Sequence, residues 1–112
     1  MIRQTQVKEV IENPHGGIGT IEIHKKIIKE DLVEGLDLFA KVIVSPHSTI
    51  GYHQHIDDAE AYYIVSGEGI FLDHNKERIP VQAGDICLIT KGQSHGLENP
   101  TDQVLEMIAV VY

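Results

Sequence analysis

The sequence predicts an all-β fold, a sandwich or barrel, and three observations support this prediction. Short segments of β-rich composition recur along the chain, with Gly, Pro, Asn or Asp between them. Several of these segments alternate apolar and polar residues, which is the pattern of a half-buried strand. No stretch has the long amphipathic pattern of a helix. The 112 residues suffice for one hydrophobic core, so we expect one domain.

The elements of this domain can be placed in chain order. Residues 1–19 are expected to form an arm and a loop, because Asn13-Pro14-His15-Gly16-Gly17 does not favour regular structure. Residues 20–112 are then the β-barrel domain. We expect strands at residues 20–28, 36–44, 50–56, 60–65, 70–72, 86–90, 95–99 and 104–111. Asp73-His74-Asn75-Lys76 indicates a hairpin turn that exposes His74, and Pro80 indicates an edge strand or a strand end.

His53 and His55 are two residues apart in a predicted strand, so their side chains share one face. A short connection leads to a strand that begins near Glu60, and this return brings a carboxylate beside the two imidazoles. Another strand and a glycine-containing turn precede His95. Three imidazoles and one carboxylate suit a divalent transition metal, with Mn, Fe, Co, Ni, Cu and Zn all acceptable. We therefore expect one such metal at these four residues.

The spacing of these residues resembles the two motifs of the cupin superfamily, over about half of the chain. The first motif reads His53-x-His55, four residues, Glu60, six residues, Gly67; the second reads Gly84, seven residues, Gly92, two residues, His95, three residues, Asn99. The resemblance implies a small single-domain metal-binding cupin, folded as a double-stranded β-helix or jelly-roll barrel. By motif position it also implies that the metal ligands are His53, His55, Glu60 and His95. This set is loosely that of metal-dependent oxalate decarboxylases.

Two positions depart from the cupin pattern. The glycine that usually opens the first motif is His47 here, and the proline usual two residues before Gly92 is Thr90. Both positions lie at turns or strand ends, so we expect the departures to change local loop shape and not the metal site.

A metal held by four protein ligands keeps about two positions of an octahedron open for other ligands. These positions suit a small molecule that chelates through two oxygens. We expect a metal-binding cupin that acts on a small oxygenated carboxylic acid or a sugar-derived metabolite, as a decarboxylase, dioxygenase or isomerase. Tyr62, Asp57 and Asp58 are the candidate catalytic residues, because Tyr62 shares a strand face with Glu60 and the two carboxylates precede it.

Two alternatives use the same fold. The first is a non-catalytic module that binds or senses a small molecule through the same metal. The second is a structural barrel whose metal site is vestigial. The sequence does not decide between turnover and binding.

Composition excludes several other classes of function. The net charge of −8 argues against a nucleic-acid partner, since phosphate binding needs a surplus of Lys and Arg. No apolar run approaches the roughly 18 residues that cross a bilayer, so we expect no membrane association and a cytoplasmic protein. Cys87 is the only cysteine, so no internal disulfide is possible, and its apolar neighbours predict a buried thiol. The family resemblance and the N-terminal arm further suggest a homodimer; the alternative is that the chain caps its own edge strand.

The remaining histidines carry no spacing that links them to the four candidate ligands. His15 and His24 are therefore expected to be ordinary loop or surface residues, although a place in the pocket stays open for both. The role of His47 is not assigned by the sequence.

Overall fold

Ten strands make up most of the chain in the computed structural model, which describes residues 1–4 and 7–112. Thr5 and Gln6, which belong to the predicted N-terminal arm, lie outside the described residues. The strands are β1 (Val7–Glu12), β2 (Thr20–Ile28), β3 (Leu38–Val44), β4 (Ser48–Gln54), β5 (Glu60–Ser66), β6 (Glu68–Leu72), β7 (Arg78–Gln82), β8 (Ile86–Ile89), β9 (Ser94–Asn99) and β10 (Leu105–Val111). Within the described ranges, the helical elements are two 3-10 turns, Pro14–Gly16 and Lys29–Asp31. No helix among them is long and apolar enough to span a bilayer.

The strands form two antiparallel sheets, which confirms the predicted all-β jelly-roll fold. The larger sheet has the strand order β1-β2-β3-β10-β5-β8, and the smaller has the order β4-β9-β6-β7. Neighbours in these orders are often far apart in sequence, because the chain crosses repeatedly between the sheets, as in a jelly roll. β7, which contains Pro80, is an edge strand, as the sequence predicts. The residues Asp73–Lys76 connect β6 to β7, which agrees with the predicted hairpin turn.

The hydrophobic core lies between the two sheets and takes alternate residues from each strand. Val44, Ile64 and Met107 come from the larger sheet and have no exposed surface, and Leu97 from the smaller sheet is equally buried. This alternation is what the two-residue period of a strand requires. Cys87 is also buried in this core, as its apolar neighbours predict.

The N-terminal segment differs from the predicted arm. β1 pairs with β2 in antiparallel register, from Val7 opposite Lys25 to Glu12 opposite Thr20, and so extends the larger sheet. A strand forms here because β2 offers a free edge whose backbone groups need partners. The loop predicted at Asn13-Pro14-His15-Gly16-Gly17 does follow this strand, and the 3-10 turn Pro14–Gly16 lies within it.

The first departure from the cupin pattern has a structural cost. His47 has a φ of 56°, in the left-handed region that glycine adopts without strain. Nε2 of its imidazole donates an exposed hydrogen bond to Oδ1 of Asp102 in the loop after β9. The turn therefore keeps the backbone conformation suited to glycine while it carries a larger side chain.

Candidate metal centre

Three strands bring the four candidate ligands to one end of the space between the sheets. His53 in β4 is directly opposite His95 in β9. His55 lies just beyond the end of β4, which ends at Gln54 and not at Ile56 as predicted. The backbone still holds His55, since its N–H donates to the Gln93 carbonyl at 2.9 Å.

Glu60 is the first residue of β5, so its approach to the histidines depends on how that strand begins. The preceding Ala59 exchanges two backbone hydrogen bonds with Tyr112, at 2.8 and 3.0 Å. Glu60 itself is paired in register with Val111 of β10 and Ile89 of β8. Strands on both sides of β5 therefore fix the backbone position of Glu60, and with it the origin of its side chain.

The donor atoms of the four residues converge, and all lie within 4.8 Å of one another. The Nε2 atom of His55 is 3.2 Å from Nε2 of His53 and 3.2 Å from Nε2 of His95. Oε1 of Glu60 is 3.0 Å from Nε2 of both His55 and His95. Glu60 and His95 are buried, and the other two histidines are partly buried.

Hydrogen bonds at the outer ring nitrogens fix which nitrogen of two histidines faces the centre. His53 Nδ1 lies 2.7 Å from the Gly51 carbonyl, and His55 Nδ1 lies 2.6 Å from Oδ1 of Asp58. Both partners are acceptors, so each Nδ1 must donate, and each neutral ring then has an unprotonated Nε2. When both rings are neutral, these two lone pairs at 3.2 Å cannot hydrogen-bond to each other. When His55 is protonated, its Nε2 donates to Oε1 of Glu60. The arrangement therefore suits a cation between them, with carboxylate or carbonyl partners behind the ligands as in metal sites.

The outer side of the His95 ring is held by packing, whereas the outer nitrogens of His53 and His55 are held by hydrogen bonds. Its ring stacks on Tyr62, with centroids 4.9 Å apart, and meets the edge of Phe71 at 5.9 Å. Its Nδ1 is buried and has no hydrogen-bond partner in the described part of the chain. The aromatic contacts restrict rotation of the ring, so Nε2 stays directed toward the other donors.

The electrostatics of the metal-free cluster favour ionised Glu60 and neutral His53. Burial opposes ionisation of Glu60, but hydrogen bonds from His55 and His95 outweigh it and lower the pKa of the carboxyl to about 2. Burial lowers the pKa of His53 to about 4. The hydrogen bond to Glu60 raises the pKa of His55 against the effect of burial. A carboxylate and a neutral imidazole are the ionisation states in which these groups bind metals.

A cavity of about 220 Å³ opens beside the cluster. Five of its lining residues are polar or titratable, namely His15, His53, His55, Glu60 and Tyr62. The other lining residues are apolar and come mainly from the opposite sheet: Ile21, Ile23, Leu38, Val42, Ile50, Met107, Ala109 and Val111. The residues that line this cavity include no Lys or Arg. The cavity is smaller than the roughly 300–1,000 Å³ of sites for drug-sized ligands, so it suits a small molecule.

His15 belongs to this cavity, although the sequence favours an ordinary loop residue. Its ring stacks on His53, with centroids 3.6 Å apart and an angle of 8° between the planes. The loop reaches β4 because Gly51 has no side chain: a Cβ there would lie 2.0 Å from the His15 carbonyl oxygen. The only sequence signal for this contact is the pair of glycines Gly17 and Gly51, and neither identifies its partner.

The three candidate catalytic residues have different surroundings. Tyr62 is buried and lines the cavity, and its hydroxyl is 3.4 Å from His95 Nε2. Burial raises the pKa of this hydroxyl well above its usual value, so it stays protonated. Asp58 is bonded to His55, as described above. Asp57 is exposed, is not among the residues lining the cavity, and forms no hydrogen bond or ion pair among the described side chains.

The other histidines lie outside the cavity lining. His24 contacts Glu22 at 3.5 Å on β2, and His74 is exposed in its turn, as the sequence predicts. The motif residue Asn99 is structural: its buried amide donates to the Val44, Ser45 and Gln103 carbonyls and its oxygen accepts from Thr101. It therefore fixes the loop between β9 and β10.

A second groove, of about 360 Å³, shares no residue with the candidate metal centre. It contains the carboxylates of Glu68 and Asp85. Asp85 already accepts a hydrogen bond from the Gln82 N–H at 2.8 Å, which stabilises the turn between β7 and β8. The convergence of donor atoms favours the smaller cavity as the functional site.

Comparisons with known proteins agree with this fold. The family model for the cupin domain matches residues 40–111. An oxalate-binding protein of Thermotoga maritima is 38% identical over 112 residues, which cover 99% of this chain and 92% of that protein. The crystal structure of a predicted oxalate decarboxylase from the same organism superposes with a TM-score of 0.90 at 38% identity, covering 99% of this chain and 96% of that one. A polyketide cyclase of Streptomyces resistomycificus has a TM-score of 0.80 at 19% identity, over 99% of this chain and 79% of its own, and shares the fold.

Proposed function

The chain belongs to the cupin family, and from this premise we propose that it binds one divalent transition metal and a small oxygenated carboxylic acid. The metal ligands are His53, His55, Glu60 and His95. The observation that carries the proposal is the convergence of their donor atoms within 4.8 Å, with Nδ1 of two rings committed to acceptors. The name of the Thermotoga relative, an oxalate-binding protein, supports an acid as the ligand.

The chain supplies each part of such a site. Three neutral imidazoles and one carboxylate occupy four coordination positions and leave about two for the acid. When bound, the metal supplies Lewis-acid polarisation of the ligand oxygens and a template for their orientation. The apolar side chains of the cavity exclude bulk water from the ligand. The protonated Tyr62 hydroxyl lines the same cavity and can donate a hydrogen bond to a ligand oxygen.

A second candidate function is binding or sensing without turnover. It is favoured by the surroundings of the two aspartates: Asp57 is exposed, and Asp58 is committed to His55. Neither carboxylate is therefore free beside the cavity to transfer a proton, which leaves Tyr62 as the one of the three candidate catalytic residues that can act there. The high pKa of that hydroxyl makes it a poor proton donor at neutral pH.

The test of metal binding compares three alanine variants of protein purified without a metal-affinity tag. We expect His53→Ala and His95→Ala to lose near-stoichiometric metal after dialysis, because each removes a donor from the cluster. The control His74→Ala removes an exposed histidine and is expected to retain the metal. Equal metal contents in the three variants, measured by elemental analysis, would contradict the ligand assignment.

Turnover and binding are separated with the metal-loaded wild-type protein. Small oxygenated acids are tested for binding by calorimetry and for decarboxylation, oxygen consumption and isomerisation. Binding with no product supports the binding module. Product formation that disappears in Tyr62→Phe, with binding retained, supports catalysis with Tyr62 as the proton donor.

We also propose that the protein is a homodimer that pairs through the outer face of the larger sheet. Exposed apolar residues lie on adjacent strands there: Tyr63 is opposite both Ile86 and Ile108. Leu88, Ala61, Val110 and Phe39 form the next row across the sheet. Tyr63, Ile86 and Leu88 are 48%, 67% and 53% exposed. A contiguous apolar patch of this kind is typical of a protein interface.

A further inference from the structure

The cavity beside the candidate metal centre is divided into a polar end and an apolar remainder. Its titratable residues are the candidate ligands together with His15 and Tyr62. The facing wall consists of apolar side chains on β2, β3 and β10, among them Ile23, Leu38 and Met107. If an acid is chelated at the polar end, those of its atoms that extend toward the opposite sheet would contact apolar side chains.

The charge balance of the cavity favours an acid with one negative charge. Among the described lining residues, Glu60 is the one with a carboxylate, and a divalent metal would leave the centre with a single net positive charge. A monocarboxylate neutralises that charge, whereas a dianion leaves an uncompensated negative charge. Among the described residues, no Lys or Arg lines the cavity to compensate it. Burying an unpaired charge in apolar surroundings is costly.

We propose that the preferred ligand is a 2-oxo or 2-hydroxy monocarboxylate with a short aliphatic chain, and not oxalate. The carboxylate and the adjacent oxygen chelate the metal, and the aliphatic chain packs on the wall formed by Ile23, Leu38 and Met107. This inference rests on the proposed function, because it assumes that an acid is chelated at the four candidate ligands.

The size of the cavity is consistent with such a ligand. About 220 Å³ corresponds to roughly seven water molecules of liquid, at about 30 Å³ each. Oxalate has no atoms beyond its two carboxylates, so it would contact little of the apolar wall. A 2-oxo acid with a branched chain would replace water along that wall with hydrocarbon.

Calorimetry on Mn²⁺-loaded protein, freed of unbound metal, tests the inference with four acids: oxalate, pyruvate, 2-oxobutanoate and 2-oxo-3-methylbutanoate. Each buried methylene is expected to tighten binding about fourfold, which gives about fifteenfold from pyruvate to 2-oxo-3-methylbutanoate. We expect this branched acid to bind at least tenfold more tightly than oxalate. The control 3-methylbutanoate lacks the 2-oxo oxygen and is expected to bind far more weakly.

A variant pair tests the wall directly. Ile23 is partly buried and lines the cavity, so Ile23→Arg introduces a cation there, while Ile23→Met keeps the wall apolar. We expect Ile23→Arg to shift the ratio of affinities at least tenfold toward oxalate and Ile23→Met to leave it within about twofold. If Ile23→Arg does not fold, the acid series on the wild-type protein still decides the question.

The failures of the two proposals are distinguishable. Oxalate binding as tightly as the branched acid, or no change of affinity along the 2-oxo acid series, overturns this inference and leaves the proposed function intact. No binding of any of the four acids to the metal-loaded protein overturns the proposed function and this inference with it.

Discussion

At the scale of single residues, Asp58 is a positioning residue for the candidate metal centre. Its Oδ1 accepts a hydrogen bond from His55 Nδ1 at 2.6 Å, and this fixes both the tautomer and the direction of the ring. His55 lies beyond the end of β4, where its backbone is bonded to Gln93 but its ring direction is set by Asp58. Asp57, its neighbour in sequence, is exposed and makes no such contact with any side chain that the structure describes.

Replacing Asp58 by alanine is expected to weaken metal affinity about 10- to 100-fold, because partners behind metal-bound histidines contribute that much. Affinity is measured by competition with a chromophoric chelator at pH 7. The matched control is Asp57→Ala, which removes a carboxylate of similar charge from the same turn and is expected to keep wild-type affinity. Equal losses in both variants would point to a general effect of negative charge.

Cys87 provides a prediction on pH dependence. Burial, aided by the nearby Asp85, raises the pKa of its thiol to about 11, against an ordinary value near 9. The folded state thus favours the protonated thiol, so its contribution to stability is complete below about pH 9 and is lost as the pH rises to about 11. At pH 9 we expect alkylation of the native protein to be at least tenfold slower than that of the urea-unfolded protein. Comparable rates would show that the thiol is accessible and ionised.

The sequence predicts some of the site residues and not others, for physical reasons. His53, His55 and Glu60 follow from the two-residue period of a strand and one short return, which are local. That His95 joins them depends on pairing between β4 and β9, about forty residues apart, and was available through the resemblance to a family motif. The stacking of His15 on His53 depends on a loop that crosses to another sheet, and no local pattern encodes it.

At the scale of elements, the loop after β1 is part of the candidate site because two glycines let it lie against β4. A Cβ at Gly51 would be 2.0 Å from the His15 carbonyl oxygen, and one at Gly17 would be 2.2 Å from the Thr49 carbonyl oxygen. These contacts are between backbones, which have little freedom to move apart. The position of the His15 ring over His53 is therefore set by the absence of side chains nearby.

Gly51→Ala is expected to destabilise the protein by about 3 kcal/mol, at the upper end of the usual cost of overpacking, and to separate His15 from His53. The control Gly35→Ala lies in an open turn with a φ of 77° and is expected to cost only about 1 kcal/mol of backbone strain. Urea unfolding measures the stabilities, and the imidazole proton shifts report the stacked rings. An unchanged His15 shift in Gly51→Ala would contradict the described packing.

The sequence predicts where strands lie better than it predicts which strands pair. Alternating segments such as Glu60–Ser66 were predicted within one residue, because burial of one face imposes the pattern directly. The sequence predicts an arm where β1 forms, because the few apolar residues of this segment do not reveal the free edge of β2. Strand pairing depends on which edges the other strands of the sheet leave free, and the sequence of a single segment does not contain that information.

At the scale of the whole molecule, the proposed dimer depends on the outer face of the larger sheet. Leu88→Lys places a charge at the β8 end of the apolar row on that face and is expected to convert the dimer to monomers, because the ammonium group would be buried without a partner. Ile79→Lys, on β7 of the smaller sheet, is the control and is expected to leave the dimer intact. Sedimentation velocity gives the mass of each variant. A dimeric Leu88→Lys protein would place the interface elsewhere.

The order of strands in the larger sheet also bears on how the centre is assembled during synthesis. β10 lies between β3 and β5 and is paired along Glu60, yet it follows all four candidate ligands in the sequence. The ribosome has therefore synthesised all four candidate ligands before it synthesises β10, the strand that pairs with Glu60. Under the proposed function, a nascent chain halted before residue 105 would carry all four candidate ligands but would lack the strand that pairs with Glu60.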